Sequence, residues 1–313
     1  MSTDVVTIGE AMIAFRSQGQ LSLSAPMSAS LAGAETNVAI GLSRLGHASA
    51  WIGALGVDPA GELAVRTLRA EGVDVRNVRR DPSRPTGVML VDMPATLPPV
   101  VTYHRRGSAG SHISTSDIIA APRSARIWHL TGVTPALSSE AHAAIQAAID
   151  TARTCGALVS FDVNYRAKLW SRDSAAEILA PLAHQADIVI ASEDELELVA
   201  DGVDEKSRVA ALLAGVPSEV IIKRGSRGAD QMSLNGTVSC PAFAVTEVNS
   251  IGAGDAFTAG YLSGFLDGAP IHERLTRGAM CGALAVSGIG DWEQAPTRAQ
   301  LETLGSPREE ASR

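Results

Sequence analysis

Short β-rich runs alternating with stretches of helical period leave this chain very few architectures to choose from. "DVVTIG" is followed by "ETNVAIGLSRLG", then by "SAWIGALG" and "AGELAVRTLRAEG", a β, α, β, α order. Further on, "ARIWHLTG" precedes a helix whose apolar positions Ala141, Ile145, Ala148, Ala152 and Cys155 share a face. The strand "ALVSFDVN", another helix and the strand "ADIVIAS" come next. Helices covering both faces of a mostly parallel sheet bury the apolar surface of such a string most economically, and ligands are then expected beyond the carboxyl ends of the strands. With 313 residues, 45% of them hydrophobic, the chain suits a single α/β domain over 1–313. Two segments break the rhythm, Met12 to Leu31 and Thr86 to Ser108, the second containing the turn-rich "MPATLPP". They read as strands outside the main sheet, a lid formed by about 12–31 and 86–108.

The charge balance narrows the partners. Against 34 Asp and Glu stand 26 Lys and Arg, a net charge of −8 that opposes nonspecific attraction to nucleic acid or anionic membranes and favours a small-molecule partner. Cys155, Cys240 and Cys281 have neither metal-ligand spacing nor an even count, so they read as reduced structural thiols. Asp4 and Glu10 near the start, with no basic leader and no apolar run long enough to span a bilayer, point to a soluble cytoplasmic protein.

Near the end of the chain stands "NSIGAGDAFTAGYLSGF", Asn249 to Phe265. Phe257, Tyr261 and Phe265 recur every fourth residue as one apolar face, while Ala256, Gly260 and Gly264 allow close approach of a neighbour. Gly252, Ala253, Gly254 and Asp255 are then the entry turn of a buried helix, whose unpaired N–H groups and positive dipole end make a site for an anion such as phosphate. A carboxylate there would repel its ligand unless Asp255 serves to accept a proton, the alternative being a capping acid. The dinucleotide fingerprint fails because Phe257 occupies its third glycine position, and no G-x-x-x-x-G-K-[ST] occurs.

"AGAETNVAIGLSRLG", with Gly33, Asn37 and Gly46, resembles the N-terminal signature of the ribokinase-like (PfkB) carbohydrate kinases, and "GAGDAFTAGYL" resembles their C-terminal signature. "VIIKRGSRGA" looks like the family's nucleotide-side strand and turn, and "SEDELELV" like its acidic magnesium-associated motif. The resemblance covers essentially the whole chain and implies a ribokinase-like three-layer α/β/α fold with a small β-strand lid. It also implies an ATP-dependent sugar kinase with Asp255 as general base and Gly252, Ala253 and Gly254 as anion hole. Lys223, Gly225, Ser226 and Gly228 would join that turn on the nucleotide side, with Glu195 near Mg2+.

On the sugar side, "YHRRGSAGS", "HLTGVTPALS" and "DVNYRAKLWS" resemble 2-keto-3-deoxygluconate kinases. That likeness implies that Gly33, Asn37, Tyr103, Arg105, Val133, Arg166 and Asp291 surround a sugar acid. Each has a plainer reading: Tyr103 and Arg105, two apart, would share a face on a solvated strand, and Arg166 could pair with Asp162. Arginines at the ligand edge of an acidic protein suit a carboxylate, which they hold in a bidentate fork. His104 and Arg106 read as surface.

Three positions depart from the pattern. Asn249 stands where the family usually has Asp, in a region that helps some relatives hold a monovalent cation, so only weak activation by K+ is expected. Ser192-Glu193-Asp194-Glu195 replaces the usual N-x-x-E, leaving Glu195 alone to be carried over. Ala279 stands where many relatives have Asn beside adenine, which loosens adenine selectivity. Exposed lid edges suggest strand pairing into a dimer or larger homo-oligomer. The rivals are a kinase for a neutral sugar such as fructose or ribose, and a noncatalytic sensor of sugar and nucleotide, which ATP consumption would tell apart.

Overall fold

The structure, a computed structural model, describes residues 3–94 and 99–305. Eight strands form the main sheet: β1 (Val5–Ile8), β4 (Ser49–Ile52), β9 (Ile127–Thr131), β10 (Leu158–Asp162), β11 (Ile188–Ser192), β12 (Glu219–Lys223), β13 (Ala229–Ser233) and β14 (Gly236–Cys240). Their order is β14-β13-β12-β11-β10-β9-β1-β4, parallel from β4 to β12, with β13 and β14 antiparallel at one edge. The apolar run of each strand divides by period two. Val6, Ile8, Trp128, Leu130, Val159 and Phe161 pack into one core with α3 (Thr115–Ile119), α4 (Ser139–Thr154), α5 (Arg172–Ala183) and α6 (Glu205–Leu213). Val5, Ile127, Ile188, Ile190 and Ile221 pack into the other with α1 (Ala34–Arg44), α7 (Ala253–Leu266) and α8 (Ile271–Val286). This is the three-layer α/β/α arrangement expected from the alternation. Strand order reverses between β1 and β9, which opens a crevice at their carboxyl ends.

A second sheet, β3-β2-β7-β8, stands apart, built from β2 (Met12–Ser17), β3 (Met27–Ala32), β7 (Gly87–Asp92) and β8 (Val100–His104). One face, with Ile13 and Leu31, packs on Ala64, Val65 and Leu68 of α2 (Pro59–Ala70). The opposite face gathers Met12, Ala14, Ala32, Met89 and Val91. Part of "MPATLPP", residues 95–98, lies outside the described residues.

"SAWIGALG" is two strands where one was expected. After β4 the chain turns at Gly53, where a Cβ would collide with the Trp51 ring, and β5 (Ala54–Gly56) leaves the main sheet to pair with β6 (Arg79–Asp81).

α7 is buried along almost its whole length. Phe257 and Tyr261 stack at 6.4 Å between centroids, while Gly260 lies against α8: a Cβ there would stand 2.7 Å from the Arg277 carbonyl oxygen, 2.8 Å from Cys281 Sγ and 2.9 Å from Gly278 Cα. Gly260→Val is therefore expected to force α7 and α8 apart and to destabilise by about 1–3 kcal/mol, seen as a melting temperature several degrees below wild type. An unchanged melting temperature would mean that the interface yields without cost.

Candidate active site

A cavity of about 1140 Å³ opens between the small sheet and the carboxyl ends of β1, β9, β10, β11 and β12. The last residues of those strands and the turns that leave them supply Glu10, Val133, Asn164, Arg166, Ser192, Glu195 and Lys223; α1 and the residue before it supply Gly33, Glu35 and Asn37. Gly252, Gly254, Asp255 and Asp291 close the inner end, and Met12, Met89, Val101, Tyr103 and Arg105 face them from the small sheet and its margin. Gly33 opens α1 at φ 155, with its Cβ position already taken by the Glu10 carbonyl.

Gly252 opens α7 in the left-handed region, φ 80, and a Cβ on it would collide with the Asp291 carbonyl. Both facts reserve the position for glycine. The Ala253 N–H donates to the Ser250 carbonyl at 3.3 Å, whereas the N–H groups of Gly254 and Asp255 find no acceptor among the described residues. Two free donors at the positive end of a buried helix suit an anion, which makes this turn a candidate anion cradle.

Asp255 sits one step further in, 7% exposed. Its carboxyl accepts from Asn37 Nδ2 at 2.8 Å and, more weakly, from Asn164 Nδ2 at 3.4 Å. Neither partner carries charge. Burial dominates and pushes the Asp255 pKa up to about 7, against the lowering pull of the Asn37 hydrogen bond and the Arg166 charge, with Asp162 adding to the rise. A carboxyl so placed changes charge near neutral pH, suiting it to take up and release a proton.

Most other charges around the cavity are spoken for. Lys223 Nζ contacts both oxygens of Asp162 at 2.6 and 2.8 Å; burial pulls its pKa down, but the charges of Asp162, Glu195 and Asp255 together with the Asp162 hydrogen bonds raise it on balance. Asp162 is thus the partner of Lys223 and not of Arg166, whose guanidinium reaches only the Tyr165 carbonyl at 3.2 Å. Arg105 pairs with Glu10, which also accepts from Ser108 at 2.8 Å, and lies over the Tyr103 ring at 5.5 Å. Burial raises the pKa of Glu10, Glu35 and Asp291 alike; Glu35 accepts from the hydroxyls of Thr131 at 2.6 Å and Thr134 at 2.7 Å, and Asp291 from Arg16 at 2.6 Å. Glu195 accepts the Tyr165 N–H at 2.7 Å and the Ser192 N–H at 2.8 Å, one per oxygen. Arg166, Arg106 and Lys168, all on the cavity wall, pair with no carboxylate among the described residues, Lys168 donating instead to the Val101 carbonyl at 2.7 Å. Arg106, which the sequence reads as surface, is indeed exposed and also borders the cavity.

Gly225, Ser226 and Gly228 form a tight 3-10 turn just past Lys223 and do not line this cavity. Asn249 braces the approach to α7, donating to the Gly290 carbonyl at 3.3 Å and accepting the Ile251 N–H at 3.1 Å. Sequence reading passed over Arg16, Glu35 and Asn164. Asn164 carried a signal, since an Asn just past a strand end is suited to the φ of 41 it adopts; the other two are recognised only by their contacts. Among the described residues no group of three His, Cys, Asp or Glu side chains could hold a metal, and no helix is long and apolar enough to cross a membrane.

A buried carboxyl beside a helix N-terminus and a lysine, at the carboxyl ends of a parallel sheet, is an arrangement suited to phosphoryl transfer to a small molecule. Residues 2–298 match the pfkB family of carbohydrate kinases. A 2-dehydro-3-deoxygluconokinase of Bacillus subtilis is 36% identical over 97% of this chain and 96% of its own length, and a fructokinase of Escherichia coli is 33% identical over 97% and 99%. A putative ribokinase II from E. coli, solved with ATP and Mg2+, superposes with a TM-score of 0.88 at 25% identity over 96% of this chain and 98% of that one. The chain belongs to the pfkB family and is an ATP-dependent carbohydrate kinase.

The raised Asp255 pKa has a consequence for stability. The folded protein binds this proton more tightly than the unfolded chain does, so the contribution of Asp255 to stability falls as pH rises from its unfolded value, about 4, and is fully lost above about 7. Without ligands, Asp255→Asn is expected to melt higher than wild type at pH 8, with the gap closing toward pH 5. A gap independent of pH would contradict the raised pKa.

Proposed function

We propose that this kinase phosphorylates the primary hydroxyl of 2-keto-3-deoxygluconate, giving 2-keto-3-deoxy-6-phosphogluconate. What carries the reading is Arg166. It is a cation on the cavity wall with no carboxylate partner among the described residues, close enough that its charge pulls down the pKa of both Asp255 and Asp291 against the rise from burial. A sugar acid entering between them would supply the missing anion, and the likeness to the B. subtilis enzyme points the same way. The second reading is a neutral ketose, favoured by the comparable likeness to a fructokinase.

In the proposed mechanism the substrate hydroxyl lies within hydrogen-bond reach of Asp255 and attacks the γ-phosphorus of ATP. The new O–P bond forms as the bond to the β-phosphate bridging oxygen breaks, ADP leaves, and the hydroxyl proton passes to Asp255. An alcohol acidifies sharply only as it bonds to phosphorus, so a carboxylate with a pKa of about 7 is basic enough to take the proton late. The free N–H groups of Gly254 and Asp255 would hold the migrating phosphoryl group, and Lys223, next to Gly254, would offset charge on the nucleotide. Each Glu195 oxygen keeps a lone pair beyond its one N–H bond, which suits Mg2+ carried mainly by phosphate and water; when bound, the ion neutralises charge on the phosphates. Asn249, lacking a full negative charge, leaves K+ a weak activator. The sheet of β2, β3, β7 and β8 would act as a lid that excludes water, its edge strands pairing protomers.

Two variants test the assignment. Asp255→Asn should keep its fold yet lose about 10² to 10⁴ in kcat; a loss under about tenfold would reduce Asp255 to a capping acid. Arg166→Met should lower kcat/KM for 2-keto-3-deoxygluconate by about ten- to a hundredfold while hardly touching fructose, and Arg166→Lys should recover only part, lacking the planar two-point contact. Wild-type preference for fructose or ribose would overturn the sugar-acid reading and leave the kinase intact.

A further inference from the structure

Arg16 lies in β2 on the face shared by Met12 and Ala14, which looks toward the cavity. Its guanidinium is buried, 4% exposed, and does not itself line the cavity. One nitrogen donates to Asp291 Oδ1 at 2.6 Å and the other to the Ser30 hydroxyl of β3. Asp291, which does line the cavity, is held from several sides. The Glu293 carboxylate accepts its backbone N–H at 2.9 Å, its carbonyl packs on Gly252, and the Trp292 indole N–H donates to the Leu31 carbonyl at 3.0 Å.

An anionic substrate faces an electrostatic difficulty here, because five carboxyls line the cavity: Glu10, Glu35, Glu195, Asp255 and Asp291. Glu35, Glu195 and Asp255 are met by hydroxyls, backbone N–H groups and amides, and Glu10 by Arg105. Asp291 is left to Arg16. An uncompensated Asp291 would repel a sugar carboxylate and compete with it for the nearby Arg166, and a like charge set against a ligand in a pocket is a strong means of rejection.

We infer that Arg16 is a specificity-determining positioning residue, which never touches the sugar but neutralises Asp291 and so makes the cavity acceptable to an acid and leaves Arg166 free to hold it. This rests on the sugar-acid reading above and deepens it.

The test compares kcat/KM for 2-keto-3-deoxygluconate and for fructose in wild type, Arg16→Gln, Arg16→Lys and the double variant Arg16→Gln/Asp291→Asn. Arg16→Gln should lower the acid-to-neutral ratio by about tenfold or more, mainly through a higher KM for the acid. Arg16→Lys should keep most of the ratio, since it retains the charge. The double variant should restore the ratio, even where loss of a cavity-lining carboxyl lowers kcat/KM for both sugars alike, because no carboxylate remains to be compensated; removing both partners of a buried pair also spares the fold the strain of an unpaired charge. Equal losses for both sugars in Arg16→Gln, or a double variant that fails to regain the ratio, would make Arg16 merely structural and sink the inference alone. A wild type that prefers fructose would sink the sugar-acid reading and the inference with it.

Discussion

The burial of Asp255 is the constraint on which the rest of the site depends. A carboxylate at the first turn of a helix is ordinarily stabilised by the dipole and by solvent. Here α7 is buried, the nearest hydrogen-bond donors are the amides of Asn37 and Asn164, and the nearest lysine is committed to Asp162. A lysine bound directly to Asp255 would hold its pKa low and leave a poor base. Placing Lys223 on Asp162 instead keeps a positive charge near the candidate anion cradle and off the proposed proton acceptor.

The same economy runs through the chain segments that carry the site. The 291–295 turn ties several elements of the site together. Arg16 of β2 and the Leu31 carbonyl of β3 hold it to the small sheet, its Asp291 carbonyl packs on Gly252, and Arg44 at the end of α1 donates to the carbonyls of Trp292, Glu293 and Ala295. Arg44 also lies over the Trp292 ring at 5.1 Å. The small sheet and the glycine that opens α7 are thus held to the same turn.

The layers were legible because β/α alternation has a period that packing must respect: strands of a parallel sheet are buried on both faces, and their apolar runs say so. The residues of the cavity were legible for a related reason. Gly33, Asn37, Val133, Arg166, Glu195, Lys223 and Asp255 all follow strand ends or open helices, and a parallel sheet brings such positions to one edge. What sequence could not supply was pairing. Nothing in "DVNYR" says that Asp162 turns to Lys223 while Arg166 stays free, and nothing in "IAFRS" ties Arg16 to an aspartate 275 positions away. The break in "SAWIGALG" was missed because the glycine that causes it is required by a collision in space and not by a local turn pattern.

The central claim is that Asp255 is a carboxyl poised near neutrality by burial. Titration of its side-chain carboxyl carbon by NMR in the ligand-free enzyme, with Asp255→Asn to assign the resonance, tests it directly. A midpoint near 7 is expected. A midpoint near the ordinary aspartate value of about 4 would mean that water or a cation reaches the carboxyl, and the account of the site would fail.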